Sequence, residues 1–311
     1  MTATPTTGAG VAKPKRSSLQ RSGAWARRMP LLPAMILVFL VTQLPFLVTI
    51  VASFMNWNAY YPDQRGFGGL SNFKTVLTDP GARKAIWVTV LLTAAIVLIS
   101  LFLGLCIALL LDRKFRGQGI VRTMMITPFL IVPVAAALLW KHALYNPEYG
   151  LLNGMLTKVF GKGAPQPDWI SQHPMWSVII AIVWQWTPFM MLILLAGLQS
   201  RPMDVVEAAK IDGASTWQIF THMTLPHLRQ YIELAGLLGS IYVVQNFDHV
   251  FTITGGGLGT ANLPYYIYQT FYTAHDYGLA SAAGVIVVIL TNIVSTIALR
   301  TVFSIFREEK R

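Results

Sequence analysis

Charged residues and cysteine are both scarce in this sequence. Asp, Glu, Lys and Arg together make up 12% of the 311 residues, whereas 54% are hydrophobic. Soluble domains carry about 25% charged residues, so this composition excludes an ordinary soluble fold and indicates a helical membrane protein. Cys106 is the only cysteine, which excludes an intrachain disulfide and a thiolate metal cluster.

The sequence also lacks the short motifs of the common enzyme classes. Gly161-Lys162-Gly163 has neither the glycine spacing nor the following Ser or Thr that a phosphate-binding loop requires. The glycine-rich stretch from Thr254 to Gly259 contains no lysine and follows a predicted helix, so we interpret it as a loop on the outer face. No HExxH, CxxC or serine nucleophile elbow occurs, and we therefore predict no catalytic residue, no metal site and no bound cofactor.

Long charge-free runs are what the sequence has instead. Five runs of membrane length contain no Asp, Glu, Lys or Arg, and a sixth is interrupted only by Glu233 and Asp248. A helix needs about 20 apolar residues to cross a bilayer. We therefore predict an all-α polytopic membrane protein with six transmembrane helices. The predicted spans are about Leu31–Phe54, Ala85–Leu111, Arg122–Trp140, Met175–Leu198, Tyr231–Phe251 and Gly278–Val302.

Basic residues are distributed unevenly between the two sides of these spans. The formal net charge is +11, and 17 of the 24 Lys and Arg residues fall on the side of the N-terminus. Because basic residues accumulate in cytoplasmic loops, both termini are predicted to be cytoplasmic, and nucleic acid is not expected as a partner. The chain then divides into a basic, disordered tail at 1–30 that faces membrane lipid, a six-helix domain at 31–306 and a short cytoplasmic tail at 307–311.

The segment between the fourth and fifth predicted spans, at about 200–226, is polar and broken by turns. Ser200 can cap a helix, Pro202 fits its first turn, and Asp204 suits the positive end of its dipole. Asp212-Gly213 is expected to end this helix, because glycine adopts the left-handed conformation at little steric cost. The pattern predicts a first short helix over this stretch.

A second short helix is predicted from about Ala214 to Leu225-Pro226. Trp217, Phe220 and Met223 recur at helical spacing, so they share one face. An apolar face on the aqueous side is typical of a binding site for a partner protein. The residues alone leave a second interpretation open, in which both helices simply pack beneath their own bundle.

Polar and aromatic side chains inside the fourth and fifth spans form a candidate binding site. Polar groups at that depth are costly and face the protein interior or a wet cavity. Aromatic faces suit the C–H surfaces of a sugar or polyol, and amides or carboxylates suit its hydroxyls. Interface anchoring by Trp and Tyr, and interhelical hydrogen bonding by Gln and Asn, remain open as alternatives. The candidate substrate-binding residues are Gln185, Trp186, Phe189, Tyr242, Gln245, Asn246 and Asp248.

The loop carries a recognisable sequence pattern. Glu207-Ala208-Ala209-x-x-Asp212-Gly213-Ala214, followed by Phe220 and Leu225-Pro226, resembles the EAA motif of ABC importer membrane subunits. Similarity extends from about Leu31 to Phe306 and is greatest to the carbohydrate-importing, maltose-permease-like branch. Four further pieces occur in the same order as in that branch: Gly69-Leu70-Ser71-Asn72-Phe73, Thr127-Pro128-Phe129, Trp184-x-Trp186-x-Pro188-Phe189-Met190 and Thr254-Gly255-Gly256.

This resemblance implies a six-helix permease of the MetI-like type whose loop docks on a separate ATPase. The implied ATPase-coupling residues are Glu207, Ala208, Ala209, Asp212, Gly213 and Ala214. Sugar contacts in that branch lie on the corresponding fourth and fifth helices, which points to Gln185, Trp186 and Phe189 and then to Gln245 and Asn246.

The resemblance also implies the partners and the place of action. The expected partners are a second homologous permease subunit, two copies of an ABC ATPase that use ATP and magnesium, and an extracytoplasmic solute-binding protein. The chain would form the pathway for a carbohydrate across the cytoplasmic membrane of a prokaryote. Glycerol phosphate or another polar solute is an alternative substrate, and an ion-coupled secondary transporter is a less favoured alternative class.

Overall fold

A computed structural model describes residues 29–161 and 163–305, and these are predominantly helical. The predicted tail at 1–30, apart from its last two residues, lies outside the described residues, as does the predicted tail at 307–311. The helices are α1 (Met29–Ser53), α2 (Ser71–Thr78), α3 (Pro80–Leu111), α4 (Gln118–Leu130), α5 (Pro133–Leu144), α6 (Leu151–Phe160), α7 (Trp169–Gln172), α8 (Pro174–Gln199), α9 (Met203–Ile211), α10 (Thr216–Ile219), α11 (Leu225–Val244), α12 (Leu263–Tyr268) and α13 (Tyr277–Ile305).

Several helices match predicted membrane spans. By length and composition, α1, α3 and α8 can each cross a bilayer, and α4 with α5 forms a bent pair that adds a fourth candidate. The 26 residues of α8 are about 39 Å long, which exceeds the roughly 30 Å of hydrocarbon. Helix α13 covers the predicted sixth span, and α11 overlaps the predicted fifth span but ends at Val244 and not at Phe251. The count of six spans stays a prediction.

The contacts of the chain divide it into two units, residues 1–49 and residues 50–311. In the first unit the described residues form a helix that widens into a π segment at Phe39–Gln43. Proline at position 45 donates no backbone hydrogen bond, and such widened turns are a common way of accommodating that loss. The apolar side chains from Met29 to Leu47 are largely exposed, as expected for a helix surrounded by lipid.

In the second unit, the long helices α3 and α8 pack closely against each other. The C-terminal halves of both helices contribute to one apolar cluster that includes Ala108, Leu111, Leu194 and Leu198. Gly104 of α3 lies directly against α8, since a Cβ there would come within 2.9 Å of the backbone nitrogen of Met191. Small residues at such crossings let membrane helices approach closely.

This close approach predicts the effect of enlarging Gly104. Gly104→Val places a branched side chain against the α8 backbone, and overpacking of this kind costs about 1–3 kcal/mol. We expect a lower thermal unfolding midpoint of the detergent-solubilised protein, measured by tryptophan fluorescence. Gly154→Val in α6 is the matched control, because a Cβ at Gly154 meets no atom within 4 Å. An equal midpoint for both variants would contradict the packing argument.

The third predicted span is interrupted just before Pro133, whereas its other proline, Pro128, lies inside a helix. Helices α4 and α5 meet at an angle of 97°. Val132 precedes Pro133 and has an extended ψ of 133°, because the proline ring disfavours the helical conformation in the residue before it. The single helix predicted from Arg122 to Trp140 is therefore two helices, which are separated by Ile131 and Val132.

Short elements lie at the ends of α3 and α8 that are remote from the polar loop. Met55–Asn56 pairs antiparallel with Gly66–Phe67, and the sequence that precedes α8 forms α6 and α7. Asp168 caps α7, and hydrogen bonds from the Ser171 side chain and backbone lower the pKa of its carboxyl group. These elements support the ends of the long helices.

Candidate functional site

The loop between α8 and α11 forms a helix, a tight turn and a second helix. α9 ends at Ile211, and Gly213 follows with a φ of +85°. A side chain with a Cβ is strained in this region, which explains the glycine. Ser215 then begins α10 through a capping box with Gln218, whose backbone N–H donates to the serine hydroxyl over 3.3 Å. The predicted break at Asp212-Gly213 is confirmed.

Two details of the predicted loop are wrong. Ser200 does not cap α9, because Pro202 occupies the capping position and the Ser200 hydroxyl donates to the Gly197 carbonyl over 2.9 Å. The second helix does not end at Leu225-Pro226 either. A π segment, Phe220–Thr224, joins α10 to α11, and the proline sits in the first turn of α11, where helices tolerate it. The second loop helix is thus continuous with the predicted fifth span.

The loop exposes both a carboxylate and apolar side chains. Glu207 is exposed and makes no hydrogen bond or ion pair with any residue that the structure describes. Ile211 and Trp217 are 86% and 71% exposed, whereas Val206 is buried and fixes the opposite side of α9. Of the predicted coupling residues, Glu207, Ala208, Asp212 and Gly213 are exposed, and Ala209 and Ala214 are half-buried. This combination is typical of a surface that binds a partner protein.

An open recess lies beside the glycine turn. Its volume is about 440 Å³, and its lining includes Gly213, Ala214, Gln218 and Met223. Trp217 does not line this recess; its exposed ring lies elsewhere on the same loop, with its centroid 5.7 Å from that of Phe220. The loop therefore offers both a concave surface and an exposed aromatic residue.

Trp186 stands at the centre of an aromatic cluster that connects α4, α8 and α11. Its ring centroid lies 5.6 Å from Phe129, 5.6 Å from Phe189 and 5.5 Å from Tyr242. Tyr242 stacks on Trp186 and is 57% exposed, so the cluster presents an open aromatic face. The candidate residues from the sequence omitted Phe129. Its position in Thr127-Pro128-Phe129, just before the break in the third span, was the available signal.

Gln185 lies behind this aromatic face and holds the bend of the third span. Its amide nitrogen donates to the Ile131 carbonyl over 2.7 Å, and its side chain is buried. A helix break leaves a backbone carbonyl without its usual intrahelical donor, and within a membrane another protein group has to donate to it. The amide oxygen of Gln185 is also buried and has no partner among the described residues. A buried acceptor of this kind is uncommon and is available to water or a ligand.

Gln245 faces a different surface. α11 ends at Val244, and Gln245 lines a groove of about 490 Å³ between α11 and α13, together with Thr291 and Asn292. The sequence analysis named no candidate binding residue in the sixth span, whereas the structure places these two polar side chains of α13 in the groove. Their polarity within an apolar run was the signal that could have identified them.

Asn246 and Asp248 lie beyond the end of α11 and are half-buried. The Asn246 amide nitrogen is 3.1 Å from Nδ1 of His249, and its backbone carbonyl accepts a 2.5 Å hydrogen bond from Asn262. These contacts hold the chain where it leaves the helix. The structure thus brings Trp186, Phe189 and Tyr242 together, and it places Gln185 against the bend of the third span. Gln245 lines the groove towards α13, and Asn246 and Asp248 lie beyond the end of α11.

The architecture and the surfaces define a class of protein. Within 29–161 and 163–305, no group of three or more His, Cys, Asp or Glu could hold a metal ion. Apolar membrane-length helices are typical of a multi-pass membrane protein, and the exposed loop is typical of a surface that binds a partner. Residues 100–304 match the family of binding-protein-dependent transport system inner membrane components, and the chain belongs to this family. It is therefore a membrane-embedded ABC transporter permease subunit and not an enzyme.

Relatives match most of the chain. The chain is 35% identical to the trehalose transport system permease protein SugA of Mycobacterium tuberculosis, over 82% of this chain and 81% of SugA. It is 34% identical to the trehalose/maltose transport system permease protein MalF of Thermococcus litoralis, over 84% of this chain and 87% of that protein. The sulfoquinovosyl glycerol transport system permease protein SmoG of Agrobacterium fabrum is 32% identical over 88% of each chain.

A solved structure shares the fold. It is a bacterial alginate ABC transporter in complex with an alginate pentasaccharide-bound periplasmic protein. One of its chains matches with a TM-score of 0.77 at 21% identity, over 91% of this chain and 96% of that one. At this identity the likeness establishes the fold alone.

Proposed function

We propose that this chain forms half of the transmembrane pathway of an ATP-driven carbohydrate importer in the cytoplasmic membrane of a prokaryote. The observation that carries the proposal is the pairing of an exposed docking loop with an open aromatic face on the same bundle. Its partners are a second permease subunit, two copies of an ABC ATPase and an extracytoplasmic binding protein. With the predicted six spans and cytoplasmic termini, the loop would lie on the side of the ATPases.

The surface chemistry favours a neutral carbohydrate as the substrate. Phe129, Trp186, Phe189 and Tyr242 are aromatic, and Gln245, Thr291 and Asn292 are polar but uncharged. A phosphorylated substrate such as glycerol phosphate would require a cation at this depth to balance its charge. Relatives named for trehalose, maltose and sulfoquinovosyl glycerol transport support a sugar or glycoside.

The loop supplies the coupling. ATP and magnesium act in the partner ATPases, which approach each other when ATP binds. The exposed Glu207 and the recess beside Gly213 hold the loop in the ATPase, so the loop moves with it. Because α10 continues through a π segment into α11, displacement of the loop also displaces the fifth span. The bundle then alternates between outward and inward access.

The aromatic face supplies the solute contact. The exposed ring of Tyr242 and the edge of Trp186 pack against C–H faces of the sugar. Gln245 remains a proposed polar contact in the separate groove that it lines with Asn292. Gln185 keeps the bend at Ile131 in place and offers its free amide oxygen to a water or a hydroxyl. Asn246 and Asp248 remain proposed contacts at the end of α11.

Ligand screening of the binding protein tests the substrate class. The gene neighbouring this one that encodes an exported binding protein would be expressed, and its thermal midpoint measured with neutral disaccharides, polyols and glycerol phosphate. We expect stabilisation by a neutral sugar or glycoside. Stabilisation by glycerol phosphate alone would contradict the proposed substrate. Solute uptake by vesicles that contain this chain without any ATPase would contradict the transporter class.

Trp186→Ala tests the aromatic face. Removing the ring that Phe129, Phe189 and Tyr242 share should raise the sugar concentration for half-maximal uptake about tenfold, or about 1.4 kcal/mol. Uptake of labelled sugar by vesicles containing the whole transporter gives this value. The matched control is Trp176→Ala on the same helix, where the ring is 55% exposed outside the cluster. Equal shifts for both variants would assign Trp186 to packing.

A further inference from the structure

The loop is attached to the bundle at a polar root formed by Ser200 and Arg201, between α8 and α9. The Arg201 guanidinium donates to three acceptors on three different segments. It reaches Asp112 at the end of α3 over 2.5 Å, the Thr224 hydroxyl over 2.9 Å and the Leu198 carbonyl over 2.8 Å. Only a guanidinium has enough donors in a fixed geometry to serve all three at once.

Ser200 anchors the other side of this root. Its hydroxyl lies 2.9 Å from Nε2 of His227 and 2.8 Å from the hydroxyl of Tyr231, both on α11. The two-residue root therefore contacts the second, fourth and fifth predicted spans. A loop held in this way has little freedom to move without them.

The ion pair between Arg201 and Asp112 is well shielded from solvent. The two side chains are 14% and 25% exposed, respectively. Salt screens such a pair less than a surface pair, and removal of one partner leaves the other charge without compensation. The pair also joins residues 89 positions apart in the sequence. It is therefore a long-range tether and not a local helix contact.

We propose that the Arg201–Asp112 tether makes α3 move together with the docking loop, so that both residues are positioning residues for energy coupling. The inference rests on the proposed function, because it requires an ATPase that moves the loop. Asp112 directly follows α3, whose last residues pack on α8 in the cluster of Ala108, Leu111 and Leu198. A displacement of the root therefore moves the end of α3 as well as α8.

Asp112→Asn in the complete transporter, reconstituted in vesicles, tests the tether. The amide keeps the shape of the carboxylate but removes its charge. We expect sugar transported per ATP hydrolysed to fall about fivefold or more, the size of an ordinary coupling between sites. Asp112→Glu restores the charge and should recover most of the ratio. A purely structural role would lower transport and ATP hydrolysis together.

The pair Arg229–Glu233 provides the matched control. Its atoms lie 2.8 Å apart, and its exposures of 25% and 13% are similar, but both residues belong to α11. Glu233→Gln should leave the ratio of transport to hydrolysis unchanged. Arg201→Lys is the second variant if Asp112→Asn does not assemble. It keeps the charge but cannot reach all three acceptors, so the ratio should fall as well.

Two outcomes separate this inference from the proposed function. If Asp112→Asn keeps the wild-type ratio while Glu207→Lys abolishes transport, the tether is overturned and the docking role stands. If Glu207→Lys also transports normally, the docking role is overturned, and the tether with it.

Discussion

Glu207→Lys is expected to abolish transport while leaving the subunit folded and inserted in the membrane. Glu207 is exposed, and among the described residues it has no partner whose loss could destabilise the chain. In the proposed complex it faces the ATPase, where reversal of a charge costs several kcal/mol. Each 1.4 kcal/mol is a factor of ten, so ATPase association and sugar uptake should fall at least about a hundredfold.

The measurement is co-purification of the ATPase with a tagged permease, followed by uptake in vesicles. Glu148→Lys is the matched control, since Glu148 is also exposed but precedes α6 on the predicted opposite side of the membrane. Insertion is checked by recovery of the tagged chain from membranes. If the Glu207→Lys complex retains its ATPase and still hydrolyses ATP in response to sugar-loaded binding protein, Glu207 does not contribute to docking.

The positions of the main helices could be predicted from the sequence because charge-free runs are a direct consequence of the bilayer. The predicted spans Ala85–Leu111 and Met175–Leu198 fall within α3 and α8. The bend between α4 and α5 was harder to predict. Pro128 lies inside α4, which continues to Leu130, and the break comes only where Val132 precedes Pro133. Which proline ends a helix depends on the partners of the freed backbone, here Gln185.

The candidate site was predictable in its residue types but not in its grouping. Aromatic residues and amides of spans four and five were identified because polar groups are costly in lipid. Their division into an aromatic face and a separate groove depends on where α11 ends, which the sequence does not mark. The tether between Arg201 and Asp112 was also beyond prediction, since two charges at the ends of different helices carry no local signal of contact.

Gly213→Val is the second variant with a large expected effect. Gly213 has a φ of +85°, and a Cβ there would meet no atom within 4 Å. The obstacle is therefore the backbone conformation alone. A left-handed conformation costs a residue with a Cβ about 1–2 kcal/mol, and a β-branched side chain is an outlier there. The turn should relax to another geometry and move α10 away from the ATPase, which lowers uptake by up to about thirtyfold.

Two further variants separate the effect of backbone conformation from the effect of side-chain size. Gly119→Val adds the same side chain in open space at a position without a positive φ, and it should transport normally. Gly213→Asn adds a side chain that tolerates the left-handed region, and it should retain most of the activity. Uptake in vesicles should therefore rank wild type first, then Gly213→Asn, then Gly213→Val. Backbone strain alone would leave Gly213→Asn largely active, because asparagine tolerates the left-handed region. If Gly213→Asn is as inactive as Gly213→Val, the strain argument is wrong and the turn excludes side chains because a partner contacts it.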